Sequence, residues 1–259
     1  MNKDMKIEDC RLLFGDCLER MKEIPDNSID MILCDLPYGT TECKWDNIIP
    51  FEPLWEQYKR VIKSNGAIVL TASQPFTSAL VMSNPKMFRY EWIWEKDRAT
   101  LFQHANKMPM KKHEDVVVFY KKAPTYNPQF TIGKPYTDKR TTRKGMDGLI
   151  VGGCETTKKP VINEGKRFPV STIAIPCEVN RKHLHTTQKP VELFEYFIKT
   201  YTNPGELVLD NCMGSGTTSI ACLNTNRKFI GIELDEKYYD ISCKRIEDAI
   251  KDKKQKLLK

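Results

Sequence analysis

Apolar residues along this chain follow two rhythms. Short, nearly uninterrupted runs stand at Ile29-Asp30-Met31-Ile32-Leu33-Cys34, Ala67-Ile68-Val69-Leu70, Leu207-Val208-Leu209 and Lys228-Phe229-Ile230-Gly231-Ile232. Runs of this kind suit strands covered on both faces, as in a buried parallel sheet. Between them apolar residues recur at helical spacing: Leu18, Met21 and Ile24; Phe51, Leu54, Trp55, Tyr58, Val61 and Ile62; Leu193, Phe194, Phe197 and Ile198; Tyr239, Ile241, Cys243 and Ile246. Strands are also predicted at Cys10–Phe14, Tyr90–Glu95 and Glu114–Tyr120, and further helices from Ser73 to about Met82 and after Thr218. Asn65-Gly66 is expected to end the second helix through a left-handed cap. Pro190 is expected at the first position of the helix that follows it, which its fixed backbone angle favours.

Both rhythms fail between residues 121 and 183. That stretch holds Pro124, Pro128, Pro135, Pro160, Pro169 and Pro176, several glycines and little periodicity, yet Tyr126, Phe130, Tyr136, Ile150, Val151, Phe168 and Ile173 are there to be packed. An irregular insert is expected, not a linker. The chain divides into a core domain of residues 1–120 and 184–250, an insert of 121–183, and a basic tail of 251–259. Its 259 residues suffice for one α/β domain with such an addition.

Charge sharpens this division. The formal net charge is +7, but residues 96–189 carry 19 Lys and Arg against 8 Asp and Glu, whereas the remainder carries 22 against 26. A basic middle in a mildly acidic chain points to a polyanionic partner; a merely solvated basic surface is the plain alternative. No apolar run approaches membrane-spanning length, and the polar start lacks a signal-peptide core, so a cytoplasmic protein with no membrane partner is expected. Nine scattered cysteines without C-x-x-C pairs, and four histidines without ligand spacing, suggest neither a disulfide framework nor a metal site.

Two loops carry candidate chemistry. In Asp35-Leu36-Pro37-Tyr38-Gly39-Thr40 a strand ends in an acid, at the carboxyl end where open α/β sheets place ligands. Leu36 precedes proline, so its backbone favours extended geometry and its carbonyl points in few directions. A carboxylate, a carbonyl and an aromatic face thus lie within four residues, suited to gripping a flat molecule with an NH₂ group. Without chemistry the stretch is a Pro-Tyr-Gly turn. The second loop is Asp210-Asn211-Cys212-Met213-Gly214-Ser215-Gly216-Thr217-Thr218, between a strand and a helix, and Glu233 closes the next strand. Strand, acid, Gly-x-Gly, helix, strand, acid is the layout of a nucleoside-binding βαβ unit, whose second acid can hold ribose hydroxyls. The third glycine of the dinucleotide fingerprint is missing, and no phosphate-cradling P-loop motif is present.

With His185-Thr186-Thr187-Gln188-Lys189-Pro190, these segments resemble the DNA amino-methyltransferases that use S-adenosylmethionine. These form the adenine-N6/cytosine-N4 family, here with motifs in the permuted beta order: catalytic D-P-P-Y first, target recognition in the middle, cofactor glycines last. Two departures stand out. Leu36 replaces the first proline, and Cys212-Met213 precede the glycine turn where an aromatic or small apolar residue is usual. The resemblance implies a Rossmann-like, mixed but mostly parallel sheet with helices on both faces, plus the irregular basic insert as target-recognition region. It implies catalytic roles for Asp35, Leu36, Pro37 and Tyr38. Asp210, Gly214 and Gly216, with Thr217, would line the methionine side of S-adenosylmethionine. Glu233 would hold the ribose, Asp16 would lie near the adenine ring, and Thr187, Gln188, Lys189 and Pro190 would meet the methionine end. Plainer roles are a helix cap for Asp16 and a surface cation for Lys189.

The resemblance further implies methyl transfer to a base flipped out of double-stranded DNA, with Tyr38 stacking on the flipped ring. An acid at position 35 leans toward adenine-N6 by family association. Cytosine-N4, an RNA or protein amide substrate, a non-catalytic DNA-binding protein and a nucleotide-dependent oxidoreductase are the rivals. Lys111, Lys112, Lys139, Arg140, Arg143, Lys144, Lys158 and Lys159 are the expected nucleic-acid contacts. A homodimer and a cognate restriction endonuclease are further candidate partners, which the residues do not decide.

Overall fold

The computed structural model describes residues 3–40, 46–138, 161–177 and 188–257. In chain order the elements are β1 (Met5–Ile7), β2 (Cys10–Phe14), α1 (Cys17–Met21), β3 (Ile29–Asp35), α2 (Phe51–Val61), β4 (Ile62–Ala72), α3 (Phe76–Ser83), β5 (Phe88–Thr100), β6 (Lys111–Phe119), β7 (Thr131–Ile132), β8 (Tyr136–Asp138), β9 (Val161–Asn163), β10 (Lys166–Arg167), β11 (Thr172–Ala174), α4 (Val191–Tyr201), β12 (Leu207–Asp210), α5 (Thr217–Thr225), β13 (Lys228–Glu233) and α6 (Glu236–Leu257).

Nine of these strands form one sheet in the order β1-β2-β13-β12-β3-β4-β6-β5-β11. From β2 to β4 neighbours run parallel, and β6 is antiparallel to both β4 and β5. The runs at 29–34, 67–70, 207–209 and 228–232 are those parallel strands. Alternate residues feed two hydrophobic layers. Met31, Leu33, Val69 and Val208 pack on one face with Phe194, Phe197, Ala221 and Ile246 from α4, α5 and α6. Ile32, Cys34, Ile68 and Leu70 pack on the other with Met21, Leu54, Tyr58 and Phe76 from α1, α2 and α3. This is the expected Rossmann-like fold with helices on both faces.

Between β12 and β3 the winding reverses. The chain leaves β12 through α5 toward β13, and leaves β3 through α2 toward β4, so a crevice opens at the carboxyl ends of these two neighbours. Asp35 and Asp210 are their terminal residues.

Several local readings need correction. Asn65-Gly66 caps no helix: α2 stops at Val61, and Ile62 turns directly into β4, pairing with Ile29. Gly66 serves close approach instead, since a Cβ there would lie 2.7 Å from the Ile62 side chain and 2.8 Å from the Asp30 carbonyl. The acid that interrupts the β3 run ties strands together, because Asp30 accepts from the first amide of β12, at Leu207, and from Lys63. Pro190 is the N-cap of α4, one place before the helix begins. The basic tail is largely helical, because α6 continues to Leu257.

The described residues group into two compact units, Met1–Asn127 with Ser171–Lys259, and Pro128–Val170. The smaller holds the β10–β7 and β8–β9 pairs, with Phe130 edge-on to Phe168. Within the stretch 121–183, β11 belongs to the larger unit, where it pairs with β5. No described helix is long and apolar enough to cross a membrane.

Candidate active site

Asp35 ends β3 with its carboxylate partly exposed and surrounded by donors. Its Oδ1 lies 2.7 Å from the Tyr38 hydroxyl and also accepts from the Thr71 hydroxyl. Thr71 sits opposite Asp35 in the β3–β4 register. The Asp35 Oδ2 lies 2.8 Å from Lys189 Nζ. A carboxylate offers about four lone-pair directions. Oδ1 uses both of its own on Tyr38 and Thr71, so the open direction belongs to Oδ2.

Tyr38 lies against Phe76, ring centres 5.2 Å apart and planes 26° apart, and burial together with the Asp35 charge holds its phenol well above the usual value. It therefore remains a hydrogen-bond donor to the carboxylate. The loop beyond is clamped by Asp46, which accepts from the amides of Gly39 and Thr40 at 2.8 and 2.9 Å. Leu36 is buried at 4% exposure, as the residue between acid and proline, and Pro37 is half-buried.

Lys189 is the unexpected member. Placed just before α4 and only 8% exposed, its ammonium bridges Asp35 and Glu114, at 2.8 and 3.3 Å, and stands 5.4 Å from the Tyr38 ring centre. Burial alone would lower its pKa, but the charges of Asp35 and Glu114 more than reverse this and raise it. Glu114, near the start of β6, is itself paired with Lys96 of β5, which also lies over Trp94. Two carboxylates and two ammoniums thus alternate across the crevice wall. Sequence reasoning missed Thr71, Glu114 and Lys96. A polar residue closing an apolar strand and an acid opening one were the available signals.

The glycine turn stands next door. Gly214 and Gly216 have φ of 51° and 81°, a region that L side chains rarely adopt. Gly216 is the N-cap of α5, and a Cβ there would come within 3.0 Å of Ser219 and 3.1 Å of Ser242. Gln188 contacts Ser215 of this turn at 3.3 Å while its neighbour Lys189 contacts Asp35. A two-residue segment therefore touches both loops.

The remaining predicted residues take these positions. Asp210, 2% exposed, accepts from the Cys212 amide at 3.0 Å and from the Thr218 hydroxyl, so it ties the turn to the first turn of α5. Thr217 is buried within 3.4 Å of Arg245. Glu233, half-buried at the end of β13, accepts from the Gly214 and Asp235 amides, both at 2.8 Å, and burial raises its pKa. The Gly15 amide donates to the Glu233 carbonyl at 2.9 Å, which brings the β2 loop alongside. Asp16 in that loop caps α1, accepting from the Leu18 and Glu19 amides; the cap is the contact its side chain makes. Lys111 contacts the Ser73 hydroxyl and Lys112 pairs with Glu95 at 3.1 Å. Thr187, Lys139, Arg140, Arg143, Lys144, Lys158 and Lys159 lie outside the described residues. Among the described residues, no group of three or more His, Cys, Asp or Glu has metal-holding geometry.

Burial pushes the Asp210 carboxyl up to about 7, against the pull of Thr218 and the Cys212 amide. The folded value exceeds that of an unfolded aspartate, so the folded chain holds the extra proton between roughly pH 4 and 7, and the stability due to this group falls as pH rises through that window. Asp210→Asn removes the titration. Relative to the variant, the wild type should lose on the order of 3 kcal/mol between pH 4.5 and 7.5 in denaturant unfolding.

Comparison with known proteins identifies the family. A family model described as DNA methylase, of the N6/N4 methyltransferases, matches residues 29–244. The Type II methyltransferase M.HpaI of Haemophilus parainfluenzae is 27% identical over 254 residues, covering 92% of this chain and 74% of the relative. The DNA adenine methyltransferase YhdJ of Escherichia coli (strain K12) is 26% identical over 264 residues, covering 92% and 83%. Among solved structures, the M1.HpyAVI–SAM complex aligns with a TM-score of 0.60 at 23% identity, over 91% of this chain and 99% of that one. The PvuII DNA methyltransferase, described as cytosine-N4-specific, aligns with a TM-score of 0.65 at 16% identity, over 93% and 90%. The match spans both the Asp35 loop and the glycine turn, and the chain belongs to the N6/N4 DNA methylase family.

Proposed function

We propose that this protein transfers a methyl group from S-adenosylmethionine to the exocyclic N6 amino group of an adenine flipped out of double-stranded DNA. The observation that carries the reading is the Gln188-Lys189 bridge, which sets the Asp35 carboxylate and the glycine turn in one crevice.

The residues present suit the cofactor. Gly214 and Gly216 leave the turn without side chains, the Glu233 carboxylate can accept from ribose hydroxyls, and Leu234 beside it exposes an apolar face, 65% accessible, for a planar ring. When bound, S-adenosylmethionine supplies a methyl group already activated on a sulfonium. The chain supplies the rest. An adenine amino nitrogen is a poor nucleophile because its lone pair is delocalised into the ring. Asp35 Oδ2 accepts one amino hydrogen and the Leu36 carbonyl the other, drawing the nitrogen toward tetrahedral geometry and localising that pair. Tyr38 and Thr71 fix the rotation of the carboxylate, Lys189 fixes the direction of Oδ2, and Glu114 holds the ammonium. The positive charge that develops on the nitrogen falls next to Asp35, and the surplus proton leaves after transfer.

In this reading the stretch 121–183 is the target-recognition region and its cations contact phosphates and base edges. The location is cytoplasmic, and a second copy of the chain and a cognate restriction endonuclease are the candidate protein partners. Incubation with methyl-labelled S-adenosylmethionine and unmodified DNA, followed by digestion to nucleosides, should yield labelled N6-methyl-2′-deoxyadenosine. Label in N4-methylcytosine would overturn the choice of base, and no label in DNA would overturn the reading.

A further inference from the structure

The hairpin between β5 and β6 rises from the catalytic lip. Asp115 pairs with the last residue of β4, so Lys111–Glu114 run on past the end of β4 by about 13 Å, flanked by β5, which β11 accompanies only as far as Glu95. At the base of this extension stands the Glu114 that holds Lys189, and at its outer end the Lys111 that contacts Ser73. At its tip the chain does something costly. Leu101 adopts φ 67°, a conformation rare for leucine, and starts a short 3₁₀ turn, Phe102–His104. That turn presents Phe102 to solvent at 80% exposure, and Met108 and Met110 follow at 47% and 45%. Around them Arg98, His104, Lys107, Lys112 and His113 are exposed, with Lys112 paired to the exposed Glu95, and Asp97 is the sole acid between residues 97 and 113.

An apolar tip in a collar of cations, beside a site that needs a base out of its stack, has one fitting occupant: the gap in a duplex. We propose that Phe102, backed by Met108 and Met110, enters the stack beside the target nucleotide and fills the space the base vacates, while Lys107 and Lys112 hold the flanking phosphates. Side chains of this type serve as wedges between base steps. The inference rests on the DNA-directed reading above and adds the element that opens the duplex.

The test uses the full chain and a duplex oligonucleotide carrying a site first mapped on methylated plasmid DNA. In one version the target adenine faces thymine; in the other it faces an abasic position, which makes extrusion easy. Phe102→Ala should slow methylation of the paired duplex about thirtyfold and the abasic-opposed duplex less than about threefold. Phe102→Leu should recover much of the paired rate. Lys107→Ala with Lys112→Ala should weaken binding to both duplexes alike and lower the salt dependence. Equal slowing on both duplexes by Phe102→Ala, or slowing on neither, overturns the wedge. A wild-type chain that binds S-adenosylmethionine but methylates no DNA overturns the underlying reading instead.

Discussion

Asp35→Asn should reduce methyl transfer at least ~10³-fold while leaving cofactor affinity within about twofold of the wild type. The size of the effect follows from the surroundings of the side chain. Tyr38 and Thr71 both present hydroxyls to one oxygen, so an asparagine would turn its carbonyl oxygen toward them. Its NH₂ group would then point along the Oδ2 direction, toward Lys189 and the incoming amino group. A donor would face a donor where an acceptor is required. The variant is nearly isosteric, so loss of the fold would not explain loss of rate. The residues assigned to the cofactor on β13 and the glycine turn would be untouched. Single-turnover transfer of labelled methyl, together with calorimetric titration of S-adenosylmethionine, gives both numbers. Residual turnover above a few per cent would remove Asp35 from its assigned role.

Lys189→Met should cost about 3 kcal/mol of stability and about a hundredfold in rate, by separable causes. Without the ammonium, Asp35 and Glu114 face each other across a largely buried gap, and removing one member of such a group leaves uncompensated charge. Adding Glu114→Gln relieves that repulsion and keeps an acceptor for Lys96. The double variant should regain most of the lost stability in denaturant titrations. It should not regain the rate, because nothing then directs Oδ2. Recovery of rate and stability together would mean that Lys189 only neutralises its neighbours.

The strand core was plain in the sequence because uninterrupted runs such as Ala67–Leu70 have few other uses in a chain of this composition. The acids ending β3, β12 and β13 were equally plain, since a carboxylate next to such a run is too costly to be incidental. Contacts that depend on strand order were less visible. The motif neighbours of Lys189 point to a cofactor contact, and nothing local reveals that β6 brings Glu114 alongside. Asp16 carried two readings, cap or cofactor contact, and its hydrogen bonds are those of the cap. Asn65-Gly66 has the composition of a helix stop, but the pairing of Ile62 with Ile29, an interaction distant in sequence, ends α2 earlier.

The position of β13 in the sheet has a consequence for biosynthesis. Cys10 lies opposite Phe229 and Met31 opposite Val208, so the earliest strands wait for the last ones as neighbours. Until β13 leaves the ribosome, β2 has only β1 beside it and β3 shows an open edge. Closing so long a loop is slow, and the nascent chain must keep those apolar edges from meeting other chains in the meantime. An interrupted translation product would lack both the glycine turn and the partner strands of β2 and β3, so the yield of folded enzyme should depend on chaperones more than its modest size suggests.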